Sequence, residues 1–291
     1  MRPDPATATF EAQRPRLLRL AYRMLGSMSE AEDVVQDAWL RWRGVDAATV
    51  EAPASYLART VARLSLDVMK SARARRETYV GAWLPEPLVQ EEGDGPDTDD
   101  LTLTLMLALE RLSPLERAAF LLHDVFGVPL NEVAAAVDRE PAAVRQLAAR
   151  ARRHVHAARP RFPVAPEEGD RIARAFWAAT RSGDVDALRS MLAEQVVARS
   201  DGGGKVRAFL NPVVGLERVT RLFTGLARKF GREDPEEARF VHIDGLPGYV
   251  SVAGGVLQAT ALEIEDGRIA GIYITRNPDK LARARAAFGG G

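Results

Sequence analysis

Residues 127–155, GVPLNEVAAAVDREPAAVRQLAARARRHV, allow few folds other than two helices joined by a tight turn. With Val144 at zero and a step of about 100° per residue, Leu147, Ala148, Ala151 and Val155 fall within about 60° of it and form one apolar stripe. Arg145, Gln146, Ala149, Arg150 and Arg153 fall on the other side. The preceding segment, Leu130 to Val137, repeats Leu130, Val133 and Val137 at helical spacing and stops at Asp138-Arg139. Asp tolerates the left-handed conformation that such a turn needs. Pro141 suits a first helical residue, where no N–H is required. With the small Ala134 ahead of the turn and Val144 after it, the spacing fits a helix-turn-helix. Its arginine face makes nucleic acid the expected partner. The bland alternative is an αα-hairpin with a solvated basic face.

A chain of 291 residues has room for two or three domains. Net charge is zero, so the placement of charge carries the information. Arg59, Arg63, Lys70, Arg73, Arg75 and Arg76 face Asp67 alone in residues 59–76. Residues 77–110 contain acids and no Lys or Arg, and residues 139–159 are again arginine-rich. Two basic blocks around an acidic stretch imply contact with nucleic acid at two separated places. There is no cysteine, which excludes disulfides and thiolate metal sites. No run is apolar enough to span a bilayer and no secretory signal is evident, so the expected location is the cytoplasm, without membrane contact.

Residues 10–78 read as three helices. Phe10 to Leu25 is periodic and is broken by Gly26-Ser27. Ser29 is the expected cap of the second helix, with Glu32 completing a capping box. That helix carries Val34, Val35, Ala38, Trp39 and Trp42 on its apolar side and Glu32, Asp33, Gln36, Asp37 and Arg41 on its polar side. A loop around Gly44–Pro53 precedes a third helix from Ser55 to about Arg76. Residues 79–100 read as a linker and helices resume from Leu101 to about Arg159. After Pro160, Pro163 and Pro166 the pattern becomes α+β. Helices Arg171–Thr180, Val185–Leu192 and Leu216–Phe230 accompany strands at 196–200, 206–209, 240–243, 249–252, 256–264 and 268–275, expected as a curved antiparallel sheet. Asp266-Gly267 is a hairpin turn.

The first two-thirds of the chain resembles the sigma-70 family of bacterial transcription factors, in its extracytoplasmic-function class. EAEDVVQDAWLRW is similar to the helix that this family docks on RNA polymerase, and residues 127–153 to its reader of the upstream (−35) promoter element. The resemblance implies that Glu32, Asp33, Gln36 and Asp37 face core polymerase (its β′ and β subunits). It places Val50, Glu51, Pro53 and Ser55 in a loop that captures a flipped base of the −10 element. Arg59, Arg63, Lys70 and Arg73 would follow DNA phosphates, and Arg139, Glu140, Arg145, Gln146, Arg150 and Arg153 would meet the −35 site. Arg paired to guanine is the commonest specific base contact, and melted DNA needs both a base pocket and a basic track.

The last 120 or so residues resemble the SnoaL-like fold, and three strings match a sigma-J-like subgroup that carries this fusion. They are Trp83-Leu84-Pro85-Glu86-Pro87, Asp201-Gly202-Gly203-Gly204-Lys205 and Asn277-Pro278-Asp279-Lys280-Leu281. The implied organisation is multidomain. Residues 1–78 form sigma region 2, 79–100 an acidic linker, 101–160 sigma region 4, and 167–291 a regulatory α+β cone. On this reading the chain is a promoter-specificity factor and not an enzyme, with no metal or cofactor. Lys205 and Lys280 are the expected partners of Glu86 or its neighbouring acids, and the cone leaves room for a small ligand. Asp201–Lys205 is no phosphate loop, because Arg199 and Val206 stand where a Walker pattern needs Gly and Ser or Thr.

Two other functions are compatible with parts of the pattern. One is a one-component helix-turn-helix regulator with a ligand domain, although the polar face 32–37 and the acidic linker favour polymerase docking. The other gives the C-terminal domain isomerase or cyclase chemistry, which needs a buried base with oxyanion donors. Asp201, His242, Tyr249 and Tyr273 are available residue types, but no spacing brings them together.

Overall fold

The computed structural model describes residues 5–77, 79–91, 103–157, 164–230 and 238–288. The chain divides into two compact units, one of residues 1–78 with 105–159 and one of residues 79–104 with 160–291.

The first unit is all-helical. Helix α1 (Pro5–Leu25) ends where Gly26 turns left-handed, at φ 71°. The chain then reverses into α2 (Met28–Trp42), capped by Ser27, whose hydroxyl accepts from the Glu30 N–H. The cap therefore lies two residues before Ser29, because Ser27 is the first residue after the glycine with extended backbone. Ala31, Val34, Val35, Ala38 and Trp42 are buried, and the Trp42 indole donates to the Ala6 carbonyl at 2.8 Å. A 3₁₀ turn (Ala47–Thr49) leads to α3 (Pro53–Glu77). Pro53 opens that helix, so the loop expected over Val50–Ser55 is shorter, and Ser55 lies in the first turn.

Helix α4 (Leu103–Glu110) is followed by α5 (Pro114–Phe120), a π turn (Leu121–Val125), α6 (Leu130–Val137) and α7 (Pro141–Ala157). Asp138 takes φ 52°, the left-handed turn conformation. Val144, Leu147, Ala148, Ala151 and Val155 are buried, as the stripe requires. Arg117 is buried at 1% exposure, and its guanidinium bonds the carbonyls of Leu109 (2.9 Å) and Met24 (2.7 Å) and pairs with Glu110 at 2.7 Å. It ties the end of α1 to α4 and α5, and nothing in the sequence pattern marks it out.

The second unit packs helices on a seven-stranded sheet of order β1-β4-β5-β6-β7-β2-β3. Helix α8 (Pro166–Ser182) ends at left-handed Gly183, and α9 (Val185–Met191) is capped by Asp184. The strands are β1 (Val89–Glu91), β2 (Leu192–Asp201), β3 (Val213–Val214), β4 (Arg239–Ile243), β5 (Leu246–Ala253), β6 (Val256–Glu265) and β7 (Arg268–Thr275). Helix α10 (Leu216–Phe230) precedes β4, and α11 (Ala282–Phe288) closes the described chain. The core gathers Phe176, Leu188, Val196, Val219, Phe223, Leu262 and Ile272 between helices and sheet.

Three expectations change here. The sheet is mixed, because β2 runs parallel to β7. Part of the expected linker is a strand: Val89–Glu91 pairs with Val241–Ile243 and covers that edge of the sheet. Residues 206–209 are not a strand, and the short pairing with β2 is made instead by Val213-Val214. The turn at 202–205 bends the chain out of the ladder before Val206.

Candidate functional site

The end of β2 carries Asp201, which has no exposed surface. Its two carboxylate oxygens collect donors from all three marked strings and from Tyr79. Oδ1 accepts from the Tyr79 hydroxyl (2.5 Å) and the Gly203 N–H (3.0 Å). Oδ2 accepts from the Leu84 N–H (2.9 Å) and from Lys280 Nζ (2.7 Å). A buried carboxylate persists only when paired and hydrogen-bonded in this way. Burial and then the Asp201 hydrogen bond raise the Tyr79 phenol above its usual range, so Tyr79 stays a donor.

Lys280 Nζ also donates to the Leu84 carbonyl and lies 4.2 Å from the centre of the Trp83 ring. Asn277 donates to the Tyr79 hydroxyl at 3.0 Å, and its backbone N–H and that of Arg276 reach the Asp201 carbonyl. The glycines allow this convergence. Gly203 has φ 60°, and a Cβ there would come within 2.3 Å of the Asn277 amide; a Cβ on Gly202 would meet the Val206 carbonyl at 2.4 Å.

The partner assignment made for the lysines needs correction. Lys205 pairs with Asp279, at 2.6 Å, and not with Glu86. Lys280 takes Asp201, and Glu86 is faced by Arg283 at 3.5 Å. The reason is register: the turn at Gly203-Gly204 carries Lys205 toward the 277–281 turn, and Leu84 occupies the ground beside Asp201. Leu84, Pro85, Glu86, Pro87, Asn277 and Leu281 are buried, Trp83 and Pro278 half-buried. Tyr79, Arg276 and Arg283 were not singled out from sequence; Asp201 was considered only as part of its string or as a catalytic residue type.

In the first unit Glu32, Asp33, Gln36 and Asp37 are exposed on one face of α2. Arg139, Glu140, Arg145, Gln146, Arg150 and Arg153 are exposed around α7, Glu51 is exposed and Val50 and Pro53 half-buried. Several of the basic residues have intramolecular partners. Arg59 pairs with Glu132 at 3.1 Å, and Arg63 donates to the carbonyls of Ala136 (3.0 Å) and Ala135 at the C-terminal end of α6. Lys70 pairs with Asp67 within α3. Arg150 bonds Glu116 at 2.7 Å, and Glu116 closes a capping box with Ser113. Burial favours the neutral acid, but the Arg150 and Ser113 hydrogen bonds outweigh it and hold the Glu116 carboxyl down to about 2. Ser113 and Glu116 were not singled out from sequence; their S-x-x-E spacing is the signal that could have found this cap. The Arg73 side chain lies outside the described residues.

The four catalytic residue types of the second unit do not meet. Tyr249 lines a cavity between sheet and helices, His242 faces Asp170, Tyr273 donates to Glu263, and Asp201 is held as above. Among the described residues no group of side chains could hold a metal ion, and no helix is long and apolar enough to cross a membrane.

The family model for sigma-70 region 2 matches residues 9–75, and that for sigma-70 region 4 matches residues 102–155. Together with relatives that align along nearly the whole chain, this shows that the protein belongs to the extracytoplasmic-function (ECF) class of the sigma-70 family of RNA polymerase sigma factors. It is 37% identical to the ECF RNA polymerase sigma factor SigJ of Mycobacterium tuberculosis, over 94% of this chain and 92% of that one. It is 33% identical to the probable ECF sigma factor SigI of the same organism, over 99% of both. The crystal structure of M. tuberculosis SigJ superposes with a TM-score of 0.76 at 33% identity, covering 95% of this chain and 98% of that one. The fusion of helical sigma segments to an α+β domain is thus shared along the full length. A sigma factor binds core RNA polymerase and promoter DNA to direct initiation and is not itself an enzyme.

Proposed function

We propose that residues 167–291 regulate promoter-specific initiation by capturing the 79–91 segment at Asp201. Residues 1–78 and 101–160 carry polymerase and promoter binding. The observation that supports this reading is the meeting of Trp83–Pro87, Asp201–Lys205 and Asn277–Leu281 around one buried carboxylate. The captured segment joins the two sigma regions. Holding residues 79–91 fixes 13 of the 22 residues of that connection, 79–100, so they no longer extend freely between the two sigma regions. Tethering makes capture effective at modest intrinsic affinity. Polymerase and promoter shift the balance if they bind the captured and released forms unequally.

Within this scheme Glu32, Asp33, Gln36 and Asp37 meet the β′ subunit, the acidic linker occupies a basic channel of polymerase, and Arg145 and Arg150 read the −35 element. A small ligand in the α+β cavity is the signal. Reconstituted transcription with core polymerase tests the scheme, comparing the full chain with Lys280→Met. The variant should change promoter-dependent transcript yield and speed proteolysis within residues 79–100. Unchanged yield alongside faster proteolysis would sever capture from regulation.

A further inference from the structure

The cavity of the second unit has a volume of about 690 Å³, within the range of small-molecule sites. Its interior is walled by Trp177, Phe209, Leu222, Phe223 and Tyr249. Four cations line it as well (Arg181, Arg207, Lys229 and Arg276), and the described lining contains no Asp, Glu or His. Two of these cations mark the mouth. Arg207 and Lys229 are exposed, and Arg276 bonds the carbonyls of Arg207 (2.8 Å) and Ala253 (3.0 Å), joining two loops at the rim. Arg181 stacks on the Trp177 ring at 5.2 Å.

An apolar chamber with a cationic rim selects charge as well as shape. A cationic ligand is repelled by the exposed Arg207 and Lys229, whereas an anion gains charge-assisted hydrogen bonds from them. Deep in the chamber the Tyr249 hydroxyl lies beside those of Thr180 and Thr260, and burial keeps the phenol protonated. The described lining therefore supplies hydrogen-bond donors and cations, and no carboxylate or imidazole.

We propose that this cavity binds an amphipathic organic anion, with its apolar body among Trp177, Phe209, Leu222 and Phe223 and its acidic head group at Arg207 and Lys229 on the mouth. This rests on the reading that a small ligand occupies the cone, and it adds the chemical class. The site adjoins the Asp201 cluster through the chain itself. Ser200 lines the cavity and Asp201 follows it; Arg276 lines the cavity and Asn277 follows it.

The experiment uses the full chain and two fluorescent probes that share one ring system, 8-anilinonaphthalene-1-sulfonate and its uncharged parent N-phenyl-1-naphthylamine. The expected result is one saturable sulfonate site per chain, displaced by dodecanoate. Arg207→Glu, an exposed position, should weaken the sulfonate probe about ten-fold or more and leave the uncharged probe within about two-fold. Lys229→Glu repeats the test should Arg207→Glu lower the melting temperature. Leu222→Trp should weaken both probes together by intruding on the apolar wall they share. Uncharged and charged probes binding equally, with no response to either reversal, would overturn the anion assignment and leave a ligand cavity standing. Absence of saturable binding by either probe would overturn both.

Discussion

Lys280 Nζ stands 2.7 Å from Asp201 Oδ2, a pair brought together across 79 residues and sealed from solvent on the carboxylate side. Removing one partner of such a pair leaves an uncompensated buried charge, at a cost of about 3 kcal/mol. Lys280→Met should therefore lower the stability of the second unit by that order in urea denaturation. Asp201→Asn should do the same, and the double variant should cost less than the sum of the two. Strict additivity would mean that the two side chains are not coupled.

Gly203 is left-handed and abuts the Asn277 amide, whereas Gly254 is left-handed with open space around it. Both lose roughly 1–2 kcal/mol as alanine from backbone strain alone. Gly203→Ala should cost clearly more and should speed cleavage within residues 79–100. Equal destabilisation by the two variants would remove the close approach from the account.

The Glu116 carboxyl, held down to about 2, links α5 to Arg150 of α7. Because its folded pKa is depressed, its contribution is fully present above the ordinary carboxylate range and is lost as pH falls from about 4.5 toward 2. Glu116→Gln should be less stable than the parent at pH 7, and the gap should close across that window. Denaturation curves collected from pH 7 down to pH 2.5 check this; a gap independent of pH would contradict it.

Arg59 cannot hold Glu132 and a DNA phosphate equally well with one guanidinium. Glu132→Gln releases it and should raise affinity for promoter DNA in holoenzyme by up to about five-fold, the range of a partly exposed ion pair. Arg59→Ala should lower that affinity and flatten its salt dependence. A loss of affinity on Glu132→Gln would show that the pair positions α6 for binding.

The exposed acids of α2 sit on a firmly buried base of Val34, Val35 and Ala38, so reversing them changes charge without touching the core. Asp33→Lys with Asp37→Lys should abolish capture by core polymerase and leave the melting temperature within a few degrees of the parent. Retained capture would move the docking surface elsewhere.

Helical periodicity explains why so much of the first unit was legible. The α7 stripe, the Asp138 turn and the apolar face of α2 depend on neighbours three and four residues apart, which the sequence displays directly. The cap was expected at Ser29 and falls on Ser27, because Gly26 decides which serine becomes extended and two serines compete for the cap. Val89–Glu91 gave no strand signal, because three residues carry no period and their partner strand lies about 150 residues on.

The sequence by itself determined the class of most segments and the cationic character of two helices, because those properties are local or compositional, while the three strings stood out only through a family resemblance. It could not decide which charge meets which. Lys205 and Lys280 are equivalent on paper, and only the left-handed turn at Gly203 and the parallel register of β2 beside β7 bring Lys280 to Asp201 and send Lys205 to Asp279. The cavity is likewise tertiary. Its walls come from α8, α10, four strands and the loops beside them, and only packing decides that four of the chain's cations share one apolar chamber with no acid of the described lining beside them.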